Sequence, residues 1–230
     1  MNYFAHARHY LHDPYFVAGT AVPDWLSVVN RRMRARSRLA VPHTSDDDPR
    51  VASIARGIVQ HHHDDAWFHQ TRAFAELNLY FTKEIRALLP DDHGFRPSFL
   101  GHILVELLLD AALIEENPQA LDDYYSVVEM LDPYLVNRTV NRMATQQTGM
   151  LAFFIPRFSA ERFLYDYAED GKLLFRLNNV MRRVRLPALP ETLAEFLPEA
   201  RRLVQERSAE LLAGEQSVLR NGSIRRSGSE

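Results

Sequence analysis

The chain of 230 residues contains no cysteine. It can therefore form neither disulfide bonds nor thiolate metal sites, and any metal ion must be held by nitrogen and oxygen ligands. The absence of cysteine also fits a reducing compartment. Hydrophobic residues make up 46% of the chain and aromatic residues 10%, which is enough for a sizeable core and lies outside the disordered range.

The sequence also lacks the features of a secretory signal or a membrane span. Residues 1–9 contain no apolar core of the length that a signal peptide needs. The longest apolar stretch, around residues 103–113, is interrupted by Glu106 and Asp110, so we expect it to be too short and too charged to cross a bilayer. The sequence therefore predicts a cytoplasmic protein without a membrane span.

The net charge is only −3, so no overall positive field indicates nucleic acid as a partner. Positive charge is concentrated locally, however, in the arginine run of residues 31–38 and in a second group formed by Arg182, Arg183 and Arg185. Such runs are most often solvated helix faces. The alternative is a rim that attracts a phosphorylated substrate, and both interpretations stay open at this point.

Glycine is scarce, at nine residues, and few segments alternate with a period of two. The apolar residues repeat instead with helical spacing along nearly the whole chain, which predicts an all-α fold. We expect about eight helices in a single domain over residues 1–213, followed by a disordered tail over residues 214–230. The main predicted helices cover residues 2–12, 50–70, 71–89, 98–116, 118–131, 132–147, 157–169, 170–186 and 191–212.

All ten histidines lie between positions 6 and 102, and most of them are close to carboxylates at helical spacing. His61, Asp65 and His69 repeat every four residues, and His102 and Glu106 repeat that spacing later in the chain. Residues four apart share one face of a helix. Imidazole and carboxylate are ligands suited to Zn²⁺, Mn²⁺ or Fe. The spacing therefore predicts a divalent metal site, which we expect between the N-terminal helix and the helices over 50–70 and 98–116.

Other residues could complete such a site. Glu106 lies in the middle of an apolar helix, where an unpaired charge is costly, although a hydrogen bond with His102 alone could satisfy it. The repeat of the pattern on a second helix favours a metal. His6 on the first helix is a further candidate ligand, and Asp24 is either a ligand or a helix cap.

Two aspartates are candidates for a general base, Asp64 and Asp110, because neither is needed as a ligand in the predicted site. Asp64 also follows His63, and this adjacent pair resembles the core of the HD-type metal phosphohydrolases. The pair His63 and Asp64 is therefore a rival to the four-residue pattern. The sequence shows no glycine-rich phosphate loop, no G-x-S-x-G motif and no cysteine nucleophile.

Four segments, taken in order and spacing, resemble the acyl carrier protein phosphodiesterases. They are residues 1–6 (Met-Asn-Tyr-Phe-Ala-His), residues 19–25 (Gly-Thr-Ala-Val-Pro-Asp-Trp), residues 57–69 with Gly57, His61, Asp65 and His69, and the arginine-rich segment 174–185. The similarity is remote and covers most of residues 1–190. It implies an all-helical fold, a divalent metal that serves phosphodiester cleavage, an acyl carrier protein as a substrate, and metal roles for His6, Asp24, His61 and Asp65.

The chain departs from that family at two places. His69 stands where the family tends to carry an aspartate, and His102, Glu106 and Asp110 replace its Asp-His-Phe segment. These changes put the carrier-protein substrate in doubt. They make the ligand pattern, though nothing else, similar to that of the helical zinc phospholipase C and single-strand nuclease group.

The sequence thus predicts a metal-dependent phosphoesterase that acts on a phosphodiester, with His6, Asp24, His61, Asp65, His69, His102 and Glu106 as ligands. One alternative is a non-catalytic helical protein with a structural metal that binds a partner through its basic rim. Another is a di-iron oxidase in a helical bundle, which would need more glutamates than this pattern offers.

Overall fold

The computed structural model describes residues 1–89 and 94–215, and these residues form an all-α fold, as predicted. Ala35 and Ala144 form one isolated antiparallel β-bridge, but the described part of the chain contains no β-strand. Three short 3₁₀ helices cover Val41–His43, Phe163–Ala168 and Glu191–Glu195. The α-helices are α1 (Tyr3–Ala7), α2 (Pro14–Val29), α3 (Ser37–Ala40), α4 (Pro49–Phe68), α5 (Arg72–Leu88), α6 (Pro97–Glu116), α7 (Pro118–Glu129), α8 (Pro133–Met143), α9 (Leu151–Glu161), α10 (Asp170–Val184), α11 (Leu197–Glu206) and α12 (Ser208–Leu211).

The described residues thus contain twelve α-helices where about eight were expected, because the last predicted helix is divided and the main predicted helices leave out α2 and α3. The predicted helix over residues 2–12 ends at Ala7, and the one over 191–212 is divided into a 3₁₀ turn and the two helices α11 and α12. The predicted tail begins at Gly214, and its residues from 216 onward lie outside the described part of the chain.

The predicted helix over residues 157–169 is wrong at both ends. We expected Pro156 to precede a helix, but it lies inside α9, which begins at Leu151. The helix then stops at Arg162, whose φ of 43° is left-handed and cannot continue an α-helix. A 3₁₀ helix follows. Proline inside a helix removes one backbone hydrogen bond, so packing has overridden the local signal.

Several helices begin at a capping residue that can be read from the sequence. Asp13 caps α2 by accepting a hydrogen bond from the backbone N–H of Phe16 at 3.0 Å. Asp132 caps α8 in the same way through the N–H of Leu135, at 3.1 Å. In both helices proline occupies the first helical position, where its missing N–H costs nothing. These caps fix where each helix enters the core.

The chain divides into two compact units, one of residues 1–63 and 113–166 and the other of residues 64–112 and from 167 onward. The first unit has an aromatic core in which the rings of Trp25 and Phe158 meet edge to face, with centroids 5.3 Å apart. Tyr124 and Tyr125 lie in the same core and are fully buried. Aromatic residues bury large areas, so this cluster contributes strongly to the stability of the first unit.

Within the first unit, α2 and α4 touch through two glycines. A Cβ atom on Gly57 would lie 2.3 Å from the carbonyl oxygen of Phe16 and 2.8 Å from the Cα of Gly19. A Cβ on Gly19 would lie 2.3 Å from the carbonyl oxygen of Ile54. These neighbours are backbone atoms that cannot rotate away. The crossing therefore requires glycine on both helices, and it sets the register of α4 against α2.

In the second unit, the long helix α6 is apolar around most of its circumference. Its length and composition would suffice for a membrane span, contrary to the expectation from sequence. However, 72% of its most apolar 18-residue stretch is buried inside the fold. Gly101 brings the start of α6 close to α5, because a Cβ there would lie 2.9 Å from the side-chain oxygen of Asn78 and 3.0 Å from its carbonyl oxygen. This contact positions the next residue, His102.

Candidate metal centre

One group of possible metal ligands lies entirely in the second unit and consists of His69, His102 and Glu106. His69 follows the last residue of α4, and the other two lie one turn apart on α6. The Nε2 atoms of His69 and His102 are 3.0 Å and 3.2 Å from the same carboxylate oxygen, Oε1 of Glu106. The sequence pattern predicted all three residues as metal ligands and the i,i+4 relation of His102 with Glu106, but not the contact that joins His69 to them.

The three ligand atoms have the spacing that a small divalent cation requires. Tetrahedral zinc with bonds of about 2.0–2.1 Å keeps its ligand atoms roughly 3.3 Å apart. Each ligand atom of the group lies within 4.8 Å of the others, and the two contacts with Glu106 are close to the tetrahedral value. The set of two imidazoles and one carboxylate therefore fits zinc with little rearrangement. The same distances also fit hydrogen bonds from both rings to the carboxylate.

Aromatic rings enclose the two histidines on one side. The ring of Phe74 lies 4.8 Å from that of His69 and 4.9 Å from that of His102, both edge to face. Phe68 packs against His69 at 5.3 Å. On the other side the imidazoles remain accessible, since the side chain of His69 is 31% exposed and that of His102 is 36% exposed. The group thus has a fixed apolar wall and an open side.

Glu106 is held in its charged form. Burial by itself would raise the pKa of the Glu106 carboxyl, but nearby positive charge and hydrogen bonds from His102 and His69 outweigh that effect and lower the pKa below its ordinary value. An ionised carboxylate is the form that binds a metal. The environment of Glu106 therefore suits a ligand over the whole neutral range.

A second group begins with two histidines of the first unit. His6 on α1 and His61 on α4 are buried, and their rings stack with centroids 4.2 Å apart. The Nδ1 atom of His61 lies 2.8 Å from the carbonyl oxygen of Thr20. A carbonyl can only accept, so Nδ1 must carry the hydrogen, and in the neutral ring Nε2 then keeps a lone pair. This is the orientation that a second partner usually imposes on a metal-binding histidine.

Asp65 lies one turn after His61 on α4, as the four-residue spacing requires. A carboxylate oxygen of Asp65 and a ring nitrogen of His61 are within 4.8 Å of each other. His61 and Asp65 therefore share a face of the helix, which the sequence predicted. The third member of the repeat, His69, is in the other ligand group, where it contacts Glu106.

The remaining predicted residues lie elsewhere or have other contacts. Asp24 lies inside α2 and caps no helix, and among the described residues it belongs to neither group of converging ligand atoms. Asp64 is buried, and one of its oxygens accepts a hydrogen bond from the indole N–H of Trp67 at 3.3 Å. Asp110 is completely buried on α6, one turn after Glu106.

The neighbours of His61 have different surroundings. His62 places its Nε2 atom 2.7 Å from the carbonyl oxygen of Ala35, so its ring anchors the segment that contains the arginine run. His63 is exposed, whereas Asp64 beside it is buried. Among the described residues, the adjacent pair His63 and Asp64 is in neither ligand group, while members of the four-residue pattern are in both.

Two features of the site have no signal in the sequence pattern. The carbonyl of Thr20 that orients His61 is a backbone group, which any residue could supply. Phe74 lies just after the loop that follows α4, and nothing in its spacing distinguishes it from an ordinary core residue. The sequence offers one clue to the contact between Thr20 and His61: glycines at positions 19 and 57 can indicate that two helices approach closely.

Comparisons of the chain with protein-family models, with curated proteins and with solved structures found no match.

Proposed function

We propose that the protein is a metal-dependent phosphoesterase that hydrolyses a phosphodiester. The observation that carries the proposal is the convergence of His69, His102 and Glu106 on one point with an open side. Catalytic metal sites usually have three protein ligands and leave the fourth position to water or substrate. A closed structural site would have four protein ligands.

The proposed second position is the stacked pair His6 and His61 in the first unit, and Asp65, one turn after His61 on α4, is the candidate carboxylate ligand. Imidazole and carboxylate donors suit Zn²⁺ or Mn²⁺ at both positions. A cation bound there would polarise a phosphoryl oxygen and make water a stronger acid at neutral pH. Phosphoester hydrolysis needs both effects, and the remote resemblance to phosphodiesterases favours this reaction among the metal-dependent hydrolyses.

The chain's own residues would do the rest. Asp64 and Asp110 are the candidate general bases, and the hydrogen bond from Trp67 already fixes the carboxylate of Asp64 in one orientation. The arginine run of residues 31–38 supplies exposed guanidinium groups, which bind phosphate oxygens in pairs. An acyl carrier protein is one substrate that the remote resemblance suggests, and the departures at His69 and His102 leave other phosphodiesters equally open.

One observation favours the non-catalytic alternative for part of the molecule. His6 and His61 are only 1% and 4% exposed, so a metal bound at that pair would be screened from solvent and could serve the fold alone. The accessible group around Glu106 would then be the place where chemistry occurs.

The test compares two generic substrates, bis(p-nitrophenyl) phosphate as a diester and p-nitrophenyl phosphate as a monoester, with Zn²⁺ or Mn²⁺ added. We expect hydrolysis of the diester and a loss in Glu106→Gln that exceeds the roughly 10–100-fold effect typical of groups that only support a ligand. Glu116→Gln is the matched control, because Glu116 is an exposed carboxylate at the end of the same helix. Metal uptake without hydrolysis of either ester would favour the structural alternative.

A further inference from the structure

Two segments of the first unit contain arginine but no acidic side chain. Residues 25–45 carry five arginines, at positions 31, 32, 34, 36 and 38, and residues 133–160 carry three, Arg138, Arg142 and Arg157. Neither segment contains aspartate, glutamate or lysine, although the whole chain has a net charge of −3. Since acidic residues outnumber basic ones overall, two such stretches in one unit are a marked segregation of charge.

The fold joins these two segments. Ala35 pairs with Ala144 in the isolated β-bridge, and the N–H of Thr145 donates to the carbonyl oxygen of Arg34 at 2.9 Å. His62 holds the other side of the segment through the carbonyl oxygen of Ala35, at 2.7 Å. Backbone hydrogen bonds therefore hold the arginine segment, residues 31–38, against the start of the 144–150 loop.

The local backbone turns the arginines outward. Met33 and Ala35 are buried at 0% and 2% exposure, whereas Arg34 and Arg36 between and beyond them are exposed. Alternate residues of an extended segment point to opposite sides and are about 6.6 Å apart. The guanidinium of Arg34 also donates to the carbonyl oxygens of Arg31 and Met33, at 2.6 Å and 2.7 Å, while the side chains of Arg34 and Arg36 both remain exposed to a phosphate in solution.

The helices α8 and α9 each carry an exposed aromatic ring one turn before an exposed arginine. On α8, Tyr134 is 60% exposed, and Arg138 lies one turn later on the same exposed face. On α9, Phe153 is 61% exposed, and Arg157 follows one turn later. Both helices pack against α2 and against each other, so their exposed faces are directed away from α2. Arg142 is less available because it pairs with Asp46 at 2.8 Å.

We propose that this surface, formed by residues 31–38 and the exposed faces of α8 and α9, binds single-stranded nucleic acid. The exposed arginines would hold the phosphates in bidentate contacts, and the exposed rings of Tyr134 and Phe153 would stack on bases. An acidic protein would use the arginines but gives no reason for exposed aromatic rings four residues from them. The binding does not depend on the metal ligands, so it can be tested apart from the proposed hydrolysis.

The experiment measures fluorescence anisotropy of a labelled oligothymidylate of about 20 nucleotides with the full chain at low salt. We expect binding that weakens as salt rises, because bound phosphates release counterions. Replacing Arg34 and Arg36 together by glutamate should weaken binding at least tenfold and lower the slope of log K against log salt by about 1.4, or 0.7 for each lost phosphate contact. Tyr134→Ala with Phe153→Ala should weaken binding by at least about thirtyfold, from two lost stacking contacts, and leave the slope unchanged.

The matched control reverses two charges in the other arginine cluster, Arg182→Glu with Arg183→Glu, and should bind as the wild type does. The three double variants change only exposed residues, and circular dichroism of each variant beside the wild type checks that it is folded. The proposal is overturned if the wild type does not bind the oligonucleotide at low salt or if the control loses as much affinity as the Arg34 and Arg36 variant. Binding to polyglutamate or to anionic lipid vesicles, with none to the oligonucleotide, would also overturn it.

Discussion

Replacing Gly57 by alanine puts a methyl group where α2 and α4 have no room for one. The new Cβ would lie 2.3 Å from the carbonyl oxygen of Phe16 and 2.9 Å from the backbone nitrogen of Thr20. Overpacking of this kind costs about 1–3 kcal/mol, and the upper end applies here because backbone atoms must move. Alanine recovers about 1 kcal/mol through its better helix propensity. The net loss in the free energy of unfolding is therefore about 2 kcal/mol.

For a chain of this size, that loss lowers the Tm by roughly 4–8 °C. The separation of the helices should also lengthen the contact between His61 Nδ1 and Thr20, so zinc affinity should fall with stability. Thermal unfolding followed by circular dichroism, with and without Zn²⁺, measures both. Gly171→Ala is the control, because a Cβ at that helical position meets no atom within 4 Å. A Gly57→Ala protein as stable as the Gly171→Ala control would refute this account of the crossing.

Three further predictions follow from particular contacts. Saturating Zn²⁺, at about 100 times its Kd, should stabilise the protein by about 2.7 kcal/mol and so raise the Tm by roughly 5–10 °C, which a thermal scan reversed by chelator would show. The hydrogen bonds from Arg50 lower the pKa of Asp48 from 3.8 to about 2, so this partly exposed carboxylate stabilises the fold above pH 4 and loses that effect as the pH falls toward 2. In Arg50→Ala the Asp48 pKa should return toward 3.8 in an NMR titration, whereas an unchanged value would contradict the assigned cause. Phe74→Ala should remove the wall beside His69 and His102 and destabilise the protein by about 3–5 kcal/mol, measured by urea unfolding.

Much of the fold could be predicted from local signals. The helical period identified the fold class, and Asp13, Asp132 and the prolines that follow them mark the helix starts that the structure contains. The interruptions could not be predicted, because they depend on packing. Pro156 lies inside α9, where sequence rules place a helix boundary, and Arg162 adopts a left-handed conformation that most often belongs to glycine or asparagine.

The candidate site could be predicted in part for the same reason. The four-residue spacing places His61 with Asp65 and His102 with Glu106, because both relations are local to one helix. The spacing could not show that His69 pairs with Glu106, since that contact joins residues 37 positions apart. Nor could it exclude Asp24 from either group, because the position of α2 depends on the glycine crossing with α4.

The central claim is that His69, His102 and Glu106 bind a divalent metal. It is tested most directly by metal content, measured by mass spectrometry on protein purified without added metal or chelator and again after titration with Zn²⁺. The account predicts that Glu106→Gln binds one equivalent fewer than the wild type, while Glu116→Gln binds as the wild type does. A wild type that holds no Zn, Mn or Fe and takes up none on titration would contradict it, and the cluster would then be a hydrogen-bonded pair of histidines around a buried carboxylate.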